Sequence, residues 1–169
     1  MNRLYVSHAI QSLVVLIIQV LLLKNVQIPV FDRYTLTIII YPMMIIFLPL
    51  ETRRVLVIVG AFFVGLVIDL FYDTLGIHTA ALVLTGFLRT PILQFIEPRQ
   101  GYRNGIALSG RNYGFTWVAV YTAIMLLIHI LTFFSIDAFT FVFFLKIIAS
   151  TVLTFLASYI IIILYKTLV

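Results

Sequence analysis

The chain has 169 residues, 63% of them hydrophobic and only 10% charged, with a mean hydropathy of +1.20. Soluble domains carry about 45–50% apolar and about 25% charged residues, so this composition requires a bilayer as its solvent. With no cysteine, disulfides, thiolate metal sites and a cysteine nucleophile are excluded.

A spanning helix needs about 20 apolar residues. Six segments qualify, at 4–23, 34–50, 55–72, 75–96, 115–134 and 139–165. The expected fold is all-α, a polytopic membrane protein forming a six-transmembrane-helix bundle in one integral membrane domain over 1–169. The first segment begins like a signal peptide, MNRLYVSHAI, but lacks a small-x-small cleavage site and reads as an uncleaved span. It carries His8, Gln11, Ser12 and Gln19, with His8, Ser12 and Gln19 near one face. The second is short, and Pro42 and Pro49 bend or end it, because proline removes a ladder donor. The links Glu51 to Arg54, Asp73 to Thr74 and Ser135 to Ala138 are short enough to make neighbouring spans antiparallel. Thr122 and His129 share a face of the fifth span and read as satisfied polar groups. The last span is long enough to tilt or to project beyond the membrane.

Lys and Arg set the orientation. Arg3, Arg53, Arg54, Arg89, Arg99, Arg103, Arg111 and Lys166 fall towards the amino-terminal side, against Lys24 and Arg33 on the other. Asp32, Asp73 and Asp137 lie on that lysine-poor side. Both termini are therefore expected in the cytoplasm, as is the loop 97–114. That loop holds four of the eight glycines and three arginines. It reads as a flexible polybasic loop against anionic membrane lipids, or as a docking loop for a cytoplasmic partner.

Asp69 is the most informative single residue, since a carboxylate at membrane depth costs at least about 2.5–3.5 kcal/mol. Four residues on, Asp73 would share its face if the helix continued. Such a pair can bridge magnesium to a diphosphate, but a second acidic motif is missing. The plainer expectation is that Asp69 is paired inside the bundle and that Asp73 caps the next helix. Arg89, in the antiparallel neighbour, is the candidate partner of Asp69, although its position also lets it snorkel to the headgroups. Gly65 and Gly76 are expected to allow close packing of the third and fourth spans, with Gly101 in the loop as a tolerant position. If Asp69 only organises hydrogen bonds, Asp69→Asn should be tolerated and Asp69→Leu should not. Lys146, Ser150, Thr154 and Ser158 recur every fourth residue on the last span. That stripe is either an internal packing seam or a groove for a partner helix or lipid-linked ligand. Serine-hydrolase elbows, zinc-protease helices and nucleotide loops are absent from the sequence, and catalysis is not expected.

From Gly65 to Thr85 the order GLVIDL, an acidic turn, then DTLGIHTAALVLT resembles the rod shape-determining protein MreD family. That resemblance implies a non-enzymatic, cofactor-free part of the bacterial cell-wall elongation complex in the cytoplasmic membrane. It implies binding to the single-span MreC, and indirect association with MreB and the glycosyltransferase–transpeptidase pair. It also implies a fold like the substrate-binding subunits of energy-coupling-factor transporters. Assembly with a second copy stays open, and no nucleic acid is expected. The competing function is uptake of a vitamin-like solute, for which Asp69, His78 and Thr79 would supply polar groups. The first span offers only Ala9 towards the small-residue docking pattern of such subunits.

Overall fold

The computed structural model describes residues 2–30, 34–103, 106–139 and 144–168. Aliphatic runs without internal glycine or proline form the long helices α1 (Asn2–Leu21), α6 (Phe115–Ala138) and α7 (Phe144–Leu168). Between them lie α3 (Arg54–Tyr72) and α4 (Ile77–Phe95), joined by a tight turn. Among the described residues four stretches are long and apolar enough to cross a membrane: Tyr5–Asn25, Arg54–Tyr72, Phe115–Ala138 and Phe144–Thr167. They mark a mostly helical membrane protein. Their outward faces expose Ile10, Leu13, Phe63, Leu70, Leu127 and Ile160, among others. Water would penalise such a surface, and lipid does not.

Helix α4 has the length to span but is too polar along its axis to count with the other four. Four of its polar residues point inward. His78, Thr79, Thr85 and Arg89 are buried, whereas Phe87 and Phe95 are exposed. Pro91 lies inside α4 and removes the donor that Phe87 O would otherwise receive. The Arg54 guanidinium takes that place, reaching Phe87 O at 3.5 Å and covering the Phe87 ring at 4.4 Å.

The segment expected as a second helical span, 34–50, is not one helix. After a 3-10 turn at Leu23–Asn25, strands β1 (Gln27–Val30) and β2 (Tyr34–Thr37) pair antiparallel, with Ile28 opposite Leu36 and Pro29 opposite Thr35. The chain stays extended to Ile40, turns, and forms only the four-residue α2 (Met43–Ile46). Thr35, Thr37, Ile39 and Ile40 favour a pleated backbone, and Pro42 and Pro49 bracket the one helical turn. Residues 39–47 are all buried and form an inner column, from Ile39 through Tyr41 to Ile46 and Phe47. In place of a helix, an extended strand and a single turn run through the middle of the bundle.

One boundary also moves. Helix α6 continues through Ser135–Ala138, where a link was expected, and Ser135 Oγ donates to Leu131 O within it. The reversal begins at Phe139, at φ 47°. In the loop 97–114 the described residues are pinned by aromatic packing. Tyr102, Tyr113, Trp117 and Tyr121 stack in series, Tyr102 donates to Leu93 O at 2.7 Å, and Trp117 Nε1 donates to Ile96 O at 2.8 Å. Burial raises the Tyr102 phenol above its ordinary range, which keeps it a donor. The short helix α5 (Gly110–Tyr113) leads into α6.

Candidate functional site

Asp69 sits one turn from the end of α3 and is 3% exposed. Oδ1 accepts from the Thr74 hydroxyl at 2.5 Å, from the His78 backbone N–H at 3.0 Å and from His78 Nδ1 at 3.0 Å. Oδ2 accepts from the Thr79 N–H at 2.9 Å and its hydroxyl at 2.5 Å. His78 and Thr79 belong to the first turn of α4, where backbone donors have no partner within the helix. The residue at the cap position is Gly76, which has no side chain to offer. A carboxylate from the preceding helix does the capping instead.

Gly65 lies one turn before Asp69 on the same face of α3. A Cβ there would stand 2.5 Å from Thr79 Cα, so only glycine admits this approach. Gly65 and Asp69 therefore engage the same residue, one by absence of bulk and the other by hydrogen bonds. Ala61 and Val57 continue this face onto Gly86, whose added Cβ would come 3.3 Å from Ala61 Cβ. Gly86 was not among the expected packing glycines. Gly76 has a different role from the one expected. A Cβ at Gly76 meets nothing within 4 Å, and it is the φ of +87° that requires glycine.

Asp73 does not cap α4. It terminates α3 in the left-handed region, at φ 56°, and its exposed carboxylate lies 3.7 Å from Lys24 Nζ. Lys24 also donates to Phe71 O at the end of α3. The pair Asp69 and Asp73 is thus divided between the interior and the rim, and all the donors on Asp69 come from α4 and its approach. Among the described residues no group of three or more His, Cys, Asp or Glu could hold a metal ion.

Arg89 neither meets Asp69 nor snorkels. It is 2% exposed and its guanidinium turns into the bundle. Nε donates to Ile46 O at 3.3 Å, and Nη2 donates to Leu48 O and, at 3.5 Å, to Pro49 O. The Tyr121 hydroxyl donates to Ile46 O as well, at 2.8 Å. Ile46 ends the one-turn helix and Leu48 follows it, whereas Pro49 O also accepts from Thr52 N–H at 3.1 Å. A planar fork of donors suits several carbonyls at once.

The stripe on α7 serves the other end of the same segment. Ser150 Oγ accepts from Thr35 N–H at 3.2 Å, Thr154 Oγ1 from Thr37 N–H at 3.2 Å, and Ser158 Oγ from Ile39 N–H at 2.8 Å. Four helical residues rise about 6.0 Å and two strand residues about 6.6 Å, so the two repeats nearly match. The stripe is an internal seam, but it grips an extended backbone and not another helix. Lys146 lies outside it, exposed. Gln19 completes the frame from α1. Its Oε1 accepts from Ile40 N–H at 2.9 Å, and its Nε2 donates to Ile38 O at 3.2 Å and to the Tyr72 hydroxyl at 2.8 Å. A side-chain amide here plays the part of a neighbouring strand's peptide group. The only hint in the sequence was a glutamine, spaced with His8 and Ser12, deep in an aliphatic helix.

Tyr41, at the centre, joins the two interior histidines. Its hydroxyl lies 2.8 Å from His129 Nε2, while His129 Nδ1 lies 2.9 Å from Thr85 Oγ1. Because Thr85 donates to Ala81 O, its oxygen receives the Nδ1 proton and Nε2 accepts from Tyr41. His129 is satisfied, as expected; the Thr122 hydroxyl has no partner among the described residues. The His78 ring packs between Tyr41, Tyr72 and Phe133, and its edge lines a cavity of about 230 Å³ with Gln19, Thr37 and Thr74. A second cavity, about 260 Å³, shares Thr35, Phe134 and Asp137 with the first and reaches Lys146 and Ser150.

No family model matches the chain, and no curated protein and no solved structure is similar enough to match it.

Proposed function

We propose that this protein is a non-catalytic membrane scaffold of the bacterial cell-wall elongation complex, as its resemblance to the MreD family implies. In this reading it lies in the cytoplasmic membrane with both termini inside. The chain crosses six times, the second time as the extended segment beside α7. It binds MreC, and through MreC it meets MreB and the glycosyltransferase–transpeptidase pair. One observation supports the reading above the others. The residues that carry the resemblance, Gly65, Asp69, Gly76 and Thr79, form one interlocked hairpin in which Asp69 is engaged by five donors. A carboxylate so occupied is a framework group and not a reagent. The exposed aliphatic face of α1, with Val6, Ile10, Leu13 and Ile17, suits a single-span partner.

A second reading has its own support. The paired cavities with His78, Tyr72 and Asp137 along their walls suit a small polar solute, as in the membrane subunit of a vitamin-type transporter. Of the three residues expected to serve such a solute, His78 reaches the cavity, while Asp69 and Thr79 are turned towards each other. Affinity isolation in mild detergent separates the two. Recovery of MreC supports the scaffold, and recovery of an ATPase module supports transport. Orientation is tested independently, because the chain has no cysteine of its own. Single cysteines at Gln100 and Thr74 should label from opposite sides, Gln100 from the cytoplasm alone. Outside labelling of Gln100 would invert every assigned side.

A further inference from the structure

At the Lys/Arg-rich end of the bundle, three helix ends and α5 enclose a groove of about 450 Å³. Ser109, Arg111 and Lys166 line it at the helix ends, Phe115, Val118 and Ile163 line it further along α6 and α7, and α1 contributes Ser7 and Gln11. Among the described residues no carboxylate lines it. Glu51 and Glu97 line a separate cavity with Arg54 and Arg89. Lys166 is drawn inward between α1 and α7, with Nζ 4.3 Å above the Phe47 ring and 5.8 Å from that of Tyr165. Aromatic faces attract a cation through the ring quadrupole and do not take the place of oxygen acceptors for its three N–H groups. Arg111 extends from α5 on the other side of the groove.

We infer that this groove binds one anionic phospholipid of the adjacent leaflet. The phosphodiester would sit between Arg111 and Lys166, with Ser109 as a further donor. The first segment of an acyl chain would follow Phe115, Val118 and Ile163. The layering selects the ligand. Basic groups stand at the level of the helix ends, where headgroups lie, and the apolar wall runs from them towards the membrane interior. A soluble anion has no use for that wall, and a zwitterionic headgroup carries its own cation into a site that already holds two. The inference rests on the chain being a membrane protein. It does not depend on the scaffold or transport reading, or on which face of the membrane is cytoplasmic.

The test uses the full-length protein in nanodiscs of phosphatidylcholine with increasing phosphatidylglycerol, reading retained lipid by native mass spectrometry. The wild type should retain one phosphatidylglycerol in preference to phosphatidylcholine. Arg111→Gln with Lys166→Gln should weaken that preference about thirtyfold, each basic residue near headgroups being worth roughly fivefold. Lys166→Arg should retain it, which guards against misfolding as the cause. Arg99→Gln with Arg103→Gln, in the same loop but outside the groove, should change it little. Equal retention of both lipids would overturn the inference. So would equal losses in the two double variants, or displacement of the lipid by millimolar inorganic phosphate.

Discussion

The α3–α4 hairpin and the segment from Gln27 to Pro49 are both strongly apolar, yet they meet the membrane's main demand in opposite ways. A backbone polar group with no partner in hydrocarbon costs several kcal/mol. The hairpin meets that demand mostly within itself: each helix bonds to itself, Asp69 serves the first turn of α4, and Arg54 serves the Phe87 carbonyl that Pro91 leaves open. Among its described residues the extended segment bonds to itself only in the β1–β2 pairing and in the single turn around α2, from Met43 N–H on Ile40 O to Leu48 N–H on Ile45 O. It borrows acceptors from Ser150, Thr154, Ser158 and Gln19, and donors from Gln19, Arg89 and Tyr121. A continuous helix keeps its accounts within one stretch of sequence. A broken crossing distributes them over four other helices, and every polar residue inside the bundle has to be read with that in mind.

The largest way to break the contrast is to remove the side-chain acceptor at the hairpin's turn. Asp69→Leu strips the acceptor from five donors and should destabilise the protein by about 3–5 kcal/mol, the usual cost of orphaning buried charge-assisted partners. Folded yield in mild detergent and the thermal midpoint measure this. The geometry also revises the expectation for Asp69→Asn. An amide keeps one acceptor oxygen and turns an NH2 group towards donors on the other side. The variant should fall clearly below wild type while staying above Leu, and a wild-type midpoint would contradict the five-donor arrangement.

Glycine substitutions sharpen the comparison next. Gly65→Ala places a methyl against backbone that cannot swing aside and should cost about 1–3 kcal/mol. Gly76→Ala forces a left-handed alanine and should cost about 1–2 kcal/mol without crowding anything. Gly101 is no longer a neutral control, since its φ is +71°. Gly60 is better, with open space around its Cβ position and helical geometry. Gly60→Ala should match or exceed wild-type stability, by up to about 1 kcal/mol from helix propensity. Thermal midpoints in one detergent rank all four.

On the extended segment, Thr154→Val keeps shape and removes the acceptor for Thr37 N–H, at about 1–3 kcal/mol. Hydrogen exchange supplies the more specific readout. Protection should fall at Thr35, Thr37 and Ile39 and persist through α3 and α4. Uniform loss across both regions would mean that the two are one cooperative unit. Arg89→Lys should cost about 2 kcal/mol, because a single ammonium cannot serve three carbonyls. The smallest effect belongs to the rim. Lys24→Gln removes an exposed pair with Asp73 and should change the midpoint by no more than about 1 kcal/mol.

Hydropathy alone determined that the chain needs lipid, and where α1, α3, α6 and α7 run, because an aliphatic stretch of spanning length has few other stable forms there. The close approach at Gly65 was legible too, as a glycine one turn before a carboxylate. The state of 34–50 was not. Threonines, β-branched residues and two prolines weaken a helix, but whether an extended chain can replace it depends on who supplies its hydrogen bonds. Those suppliers are Gln19, 19 to 21 residues earlier in the chain than its partners, and Ser158, 119 residues later. For the same reason Arg89 was misplaced, since the carbonyls of Ile46 and Leu48 stand open to it only once α2 has stopped. Asp73 looked like a cap because it precedes α4, and only the packing of α3 on α4 shows that Asp69, a turn earlier, reaches the donors first. Local sequence decides which segments can hydrogen-bond to themselves. The partners of those that cannot are chosen in three dimensions.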